Sequence, residues 1–119
     1  MKDWKKPLVL ATSLAAVSML WAGTAQASTE ANCSVSLGNS GCTTATIPAS
    51  SAHEIKYYVE GGFFCAQADF QVIDAGNKVV VYSRHVGSGT VGGTIGGLYG
   101  SYYLRIYHSC GGASGAIHN

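Results

Sequence analysis

Residues 28–119 read as an all-β domain: a small antiparallel two-sheet sandwich, jelly-roll-like, with seven or eight short strands and two disulfides. Three observations carry this. Several segments alternate apolar and polar residues with period two, and no window after residue 27 has helical periodicity. Glycine, Asn and Asp punctuate the chain at short intervals. Four cysteines, Cys33, Cys42, Cys65 and Cys110, fall in a stretch too short to bury a large core, where disulfides add most.

The first 27 residues have a different character. Lys2, Lys5 and Lys6 precede an apolar run from Leu8 to Ala22, and Ala25-Gln26-Ala27 supplies the small residues of a cleavage site. This is the pattern of a secretory signal peptide cut after Ala27, bacterial in style. The apolar run is shorter than the roughly 20 residues a spanning helix needs. The expectation is a leader over 1–27, a single secreted extracellular domain over 28–119 and no membrane insertion after cleavage.

Element by element, Ser28 to Asn32 is a polar lead. "CSVSLG" and "CTTATIPA" are two short β segments around the turn "GNSG", and Pro48 ends the second. In "HEIKYYVEGG", Ile55, Tyr57 and Val59 share one face and Glu54, Lys56, Tyr58 and Glu60 the other. "FCAQADFQVID" continues the pattern, with Ala66, Ala68, Phe70 and Val72 on one face and Gln67, Asp69 and Gln71 opposite. "DAGNK" is a hairpin connection in which Asp, Gly and Asn supply positive φ, and "VVVYSRH" returns. "GTVGGTIGGL" is a glycine-punctuated strand or pair of bends. "SYYLRIYHSC" places Tyr102, Leu104 and Ile106 inward and Tyr103, Arg105 and Tyr107 outward. "SGAIHN" adds a short terminal strand.

The cysteine pairing follows from this layout. The residues between Cys33 and Cys42 include "GNSG", which lets the chain reverse and close a Cys33–Cys42 bridge. Cys65 opens one strand and Cys110 closes another, so antiparallel or facing strands join them as Cys65–Cys110. Zinc is not expected, because no Cys-x-x-Cys pair or Cys/His cluster is present.

Several functions are disfavoured. "GSGTVGG" (87–93) contains Gly-x-Gly-x-x-Gly, but a dinucleotide turn needs a helix behind it and the residues that follow read as strand. Four basic residues (Lys56, Lys78, Arg84, Arg105) against five acidic ones (Glu30, Glu54, Glu60, Asp69, Asp74) leave residues 28–119 at net −1, which gives nucleic acid nothing to attract it. No G-x-S-x-G elbow marks a serine nucleophile, His53, His85, His108 and His118 are scattered at strand ends, and no cofactor, metal or calcium loop is expected. Asn32 sits in an N-x-S sequon, with no glycan expected after a bacterial leader.

The tyrosines are the main functional signal. Alternation sends Tyr58, Tyr103 and Tyr107 outward with Arg105 between the last two, and outward tyrosines stack on sugars or anchor protein partners. In size, export signal and cysteine count the chain is similar to the small secreted two-disulfide β-sandwich inhibitors of α-amylase. Their Trp-Arg-Tyr triplet has no counterpart, since Trp4 and Trp21 both fall in the leader, and no residue is carried over. The expectation is a non-enzymatic binding module that presents Tyr58, Tyr103, Arg105 and Tyr107, or its glycine-rich loops, to an extracellular polysaccharide or protein; an inhibitor or toxin-like role is a special case. The alternatives are a structural or envelope-associated protein without a ligand site and, less favoured, a small hydrolase.

Overall fold

A computed structural model describes residues 29–119, so the leader expected over 1–27 lies outside the described residues. Nine strands follow one another: β1 (Glu30–Ser34), β2 (Cys42–Thr43), β3 (Ile47–Pro48), β4 (Ile55–Glu60), β5 (Ala68–Asp74), β6 (Val80–Val86), β7 (Thr90–Ile95), β8 (Ser101–Tyr107) and β9 (Ser114–His118). They form two antiparallel sheets. The first runs β1-β9-β4-β7 and the second β2-β8-β5-β6, with β3 also paired to β8. The chain is therefore doubled back on itself around the β5–β6 hairpin. Outward from it, β4 meets β7, β2 and β3 meet β8, and β1 meets β9. That nested pairing, split over two sheets, is a jelly roll.

The inward sets build the core. Ile55, Tyr57 and Val59 of β4, Ala68, Phe70 and Val72 of β5, and Tyr102, Leu104 and Ile106 of β8 are all buried, as the alternation predicts. Ala31, Val35 and Ile117 join them from β1, the loop after it and β9. At the open side of the sandwich Tyr57, Phe70 and Tyr82 cluster with ring centroids 5.0–6.0 Å apart. The Tyr57 hydroxyl donates to that of Tyr82 at 3.0 Å. Burial holds the Tyr57 phenol above its ordinary pKa, and the hydrogen bond from Tyr57 holds that of Tyr82 below it.

Two glycines are fixed by close approach. Gly93 lies opposite Tyr57, whose phenol crosses the strand there; a Cβ would stand 2.7 Å from its hydroxyl. Gly115 lies where β9 faces β8; a Cβ would stand 2.8 Å from Leu104 Cδ2 and 2.9 Å from Ile106 Cδ1. The glycines of "GSGTVGG" thus belong to the β6–β7 loop and to antiparallel strand β7, with no helix following.

Both disulfides form as expected. Cys33–Cys42 ties β1 of the first sheet to β2 of the second, and both cysteines pack against the core. Cys65–Cys110 joins the β4–β5 and β8–β9 loops. The strand boundaries differ from expectation around this bridge. β5 starts at Ala68, because Ala66 (φ 51°) closes a turn onto the Gly62 carbonyl, and Ala66 is exposed rather than inward. β8 stops at Tyr107, where His108 adopts φ 51°.

Other boundaries also move. Glu30 to Asn32, read as a polar lead, are in β1 because they pair with His118 to Ala116. The terminal "SGAIH" is not an appendage but an interior strand of the first sheet. In the β5–β6 hairpin the positive φ falls on Lys78 (63°), not on Asp74, Gly76 or Asn77; Asp74 and Asn77 instead accept backbone N–H bonds from Gly76 and Val79. "CTTATIPA" is split into two strands, and Thr44 between them is buried. Its hydroxyl accepts the Leu104 N–H at 3.0 Å, which keeps β8 bonded across the break.

The faces of β8 predict opposite responses. Leu104→Ala should cost about 2–5 kcal/mol in denaturant melts, whereas Arg105→Ala, exposed on the outer face, should stay within roughly 0.5 kcal/mol. Equal losses would contradict the burial described here.

Candidate functional site

The four residues singled out in the sequence fall on opposite faces of the molecule. Tyr103, Arg105 and Tyr107 line the outer face of the second sheet. Tyr58 lies on the outer face of the first. Alternation separates inward from outward but cannot say which of two sheets a strand joins.

On the second sheet the rings are already occupied. The Arg105 guanidinium lies 4.6 Å from the Tyr107 ring centroid and its Nη1 donates to Gln71 Oε1 at 3.3 Å. The Lys78 ammonium lies 5.6 Å from the Tyr103 centroid. Both tyrosines are half-buried. Next to them, Asp69 on β5 accepts from two imidazoles, His85 Nδ1 at 2.6 Å and His108 Nδ1 at 2.9 Å. A carboxylate only accepts, so each histidine carries its proton on Nδ1 here. The hydrogen bonds from His108 and His85 hold the Asp69 carboxyl below its ordinary pKa. This linkage, which ties β6 and the end of β8 to β5, was not anticipated. Its sequence signal is slight, since Asp69, His85 and His108 meet only once the register pairs Asp69 with both His85 and Tyr107.

On the first sheet the register lays out three rows across the outer face. The middle row is Asn32, Ala116, Tyr58 and Gly92. Tyr58 is therefore flanked by a methyl group and a bare glycine, and it remains 52% exposed. One flanking row carries Glu30, His118, Lys56 and Thr94; the other carries Ser34, Ser114, Glu60 and Thr90. The small side chains sink a shallow depression of about 270 Å³ beside the ring, lined by Glu30, Asn32, Ser34, Tyr58, Ser114 and Ala116 among others. The result is an uncovered aromatic plane bordered by hydroxyls, an amide and carboxylates.

A third feature lies at one end of the sandwich. Leu37, Phe63 and Phe64 are 76%, 80% and 66% exposed. Phe63 and Phe64 meet edge to face at 5.0 Å, and Leu37 and Phe63 lie against Gly111 and Gly112. The Phe63-Phe64 doublet between Gly62 and Cys65 is the available signal, and placing Phe64 at the start of a strand hides it. Among the described residues no group of three or more His, Cys, Asp or Glu is placed to hold a metal ion, and no helix is long and apolar enough to cross a membrane.

Compared with protein-family models, with curated proteins and with solved structures, the chain matches none.

The Asp69 linkage makes a pH prediction. A carboxyl whose folded pKa is depressed contributes stability above its unfolded pKa, about 3.9, and loses it as pH falls through the folded value. Asp69→Asn should therefore be less stable than the native protein at pH 7. The gap between the two should narrow as pH falls below the unfolded carboxyl's pKa, about 3.9. A stability gap that is constant from pH 7 to pH 2 would contradict the linkage.

Proposed function

We propose that this protein is a small exported, non-enzymatic binding module whose ligand is an extracellular polysaccharide, taken on the outer face of the first sheet. The single observation that carries the reading is the setting of Tyr58. Its ring lies open between Ala116 and Gly92, beside a depression rimmed by Asn32, Ser34, Ser114 and Glu30. Sugars present an apolar C–H face and equatorial hydroxyls at once. An exposed aromatic plane serves the first and a polar border serves the second. The face has few charges of mixed sign, which suits a neutral glycan better than a polyanion. The cation-covered tyrosines of the second sheet, Tyr103 and Tyr107, with Arg105, suit this role less, and in this reading they stabilise the outer face of β8.

A second reading has one observation in its favour. The exposed tip of Leu37, Phe63 and Phe64 is an apolar cluster of the kind that anchors a protein partner, as an inhibitor or toxin-like protein would use.

Retention on insoluble cellulose, chitin and xylan tests the two together. Under the first reading Tyr58→Ala lowers affinity for the retained glycan roughly tenfold, the scale of a lost aromatic contact, while Tyr103→Ala and Phe63→Ser/Phe64→Ser retain native binding. Absence of binding to every glycan, or Tyr58→Ala binding as well as the native protein, overturns it. Capture of a secreted hydrolase that needs Phe63 and Phe64 would favour the second.

A further inference from the structure

The two sheets present four edges, and three are guarded against pairing. β2 and β3 are two residues long and include Pro48. β6 carries Arg84 and, at the Val72/Ile73 register shift, a bulge. β1 begins with Glu30, and its Cys33 is tied across to β2. Charge, proline, bulge and brevity are the devices that keep sheet edges apart. β7 has none of them. It runs six residues, Thr90–Ile95, with no charged residue and no proline, and four of its residues are exposed. Among the described residues nothing pairs with its outer side.

We propose that β7 is an interface through which two copies of this chain pair, edge to edge and antiparallel, into one continuous sheet of eight strands. The occupant follows from the strand's own pattern. Directly opposed residues in an antiparallel pair share a face. With Gly92 opposite Gly92 of the partner subunit, Thr90 faces Thr94 of the partner subunit twice on the outer face, a favourable cross-strand pair. On the inner face Val91 faces Gly93 of the partner subunit twice, a position with no side chain of its own that a tyrosine phenol from β4 crosses. The strand is thus complementary to itself, as a twofold interface requires. Arg84 of β6 has the phenols of Tyr82 and Tyr57 as its partners.

The pairing does not depend on the ligand, but it has a consequence for the outer face. Tyr58 occupies β4, next to β7, so the two Tyr58 rings would lie about 14 Å apart across three strand spacings, on one surface. A polymer could then engage both rings at once, and the second contact would be made at high effective concentration.

Sedimentation equilibrium of the purified protein, from micromolar to millimolar loading, tests the pairing with two variants of the seam. Thr90→Lys/Thr94→Lys sets lysine against lysine twice and should weaken the dimer by about tenfold or more. Thr90→Lys/Thr94→Glu sets lysine against glutamate twice across the seam, each beside an opposite charge of its own β4 (Glu60 and Lys56), and should retain it. Hydrogen exchange supplies a readout on the native chain alone: amides of β7 should slow as loading rises, while those of β1 do not. A native protein that stays monomeric, a dimer equally indifferent to both variants or equally broken by both, or β7 exchange independent of loading would each overturn the proposal.

Discussion

The two sheets pack tightly where β9 carries no side chain. Gly115 faces Leu104 and Ile106 of β8, and a Cβ there would meet both side chains below 3 Å and the Tyr58 carbonyl oxygen at 3.1 Å. Leu104 and Ile106 are themselves fully enclosed, so neither has space to move into. The contact joins an interior strand of each sheet, since β9 lies between β1 and β4 and β8 lies between β2 and β5. How closely these two interior strands pack therefore depends on one missing methyl group. The outer face depends on it as well, because the neighbours of Gly115 along β9 are Ser114 and Ala116, whose small side chains leave Tyr58 uncovered.

The disulfides act at the periphery of this contact. Cys33–Cys42 closes the side of the sandwich opposite β6 and β7, directly behind Asn32 and Ser34 of the depression. Under the proposed reading, an edge strand held from below would lose little freedom on binding, which is how preorganisation raises affinity. Cys65–Cys110 pins the two loops that carry Phe63, Phe64 and Gly112, so the apolar tip projects from a fixed base. The inward sets of β4, β5 and β8 hold the fold, and the outward set of β4 stays at the surface.

Much of the fold was legible in local pattern, since period-two alternation in "IKYYVE", "ADFQVID" and "SYYLRIY" assigns every inward residue of three central strands. The cysteine pairing was legible too, although Cys65 and Cys110 lie in turns rather than at strand ends. What alternation lacks is long-range register. It sends Tyr58 and Tyr103 outward, but only the pairing of β4 with β9 and of β8 with β5 puts them on opposite faces. The same limit hid the meeting of Asp69 with His85 and His108. Turn chemistry misled at a smaller scale: His53, Ala66, Lys78 and His108 take positive φ where a glycine or asparagine is the usual signal. "SGAIH" reads as a short terminal strand, but its interior place in the first sheet and the close contact its glycine permits rest on long-range pairing.

The central claim, that the missing side chain at Gly115 sets the sheet spacing, has a direct test in thermal and denaturant melts of Gly115→Ala beside Gly96→Ala. Neither glycine has a positive φ, so conformational entropy alone would make both substitutions neutral or stabilising, by up to about 1 kcal/mol. Gly96 has no atom within 4 Å of an added Cβ and should follow that expectation. Gly115→Ala should instead lose about 1–3 kcal/mol through overpacking. A Gly115→Ala protein as stable as the native one, or more so, would contradict the account.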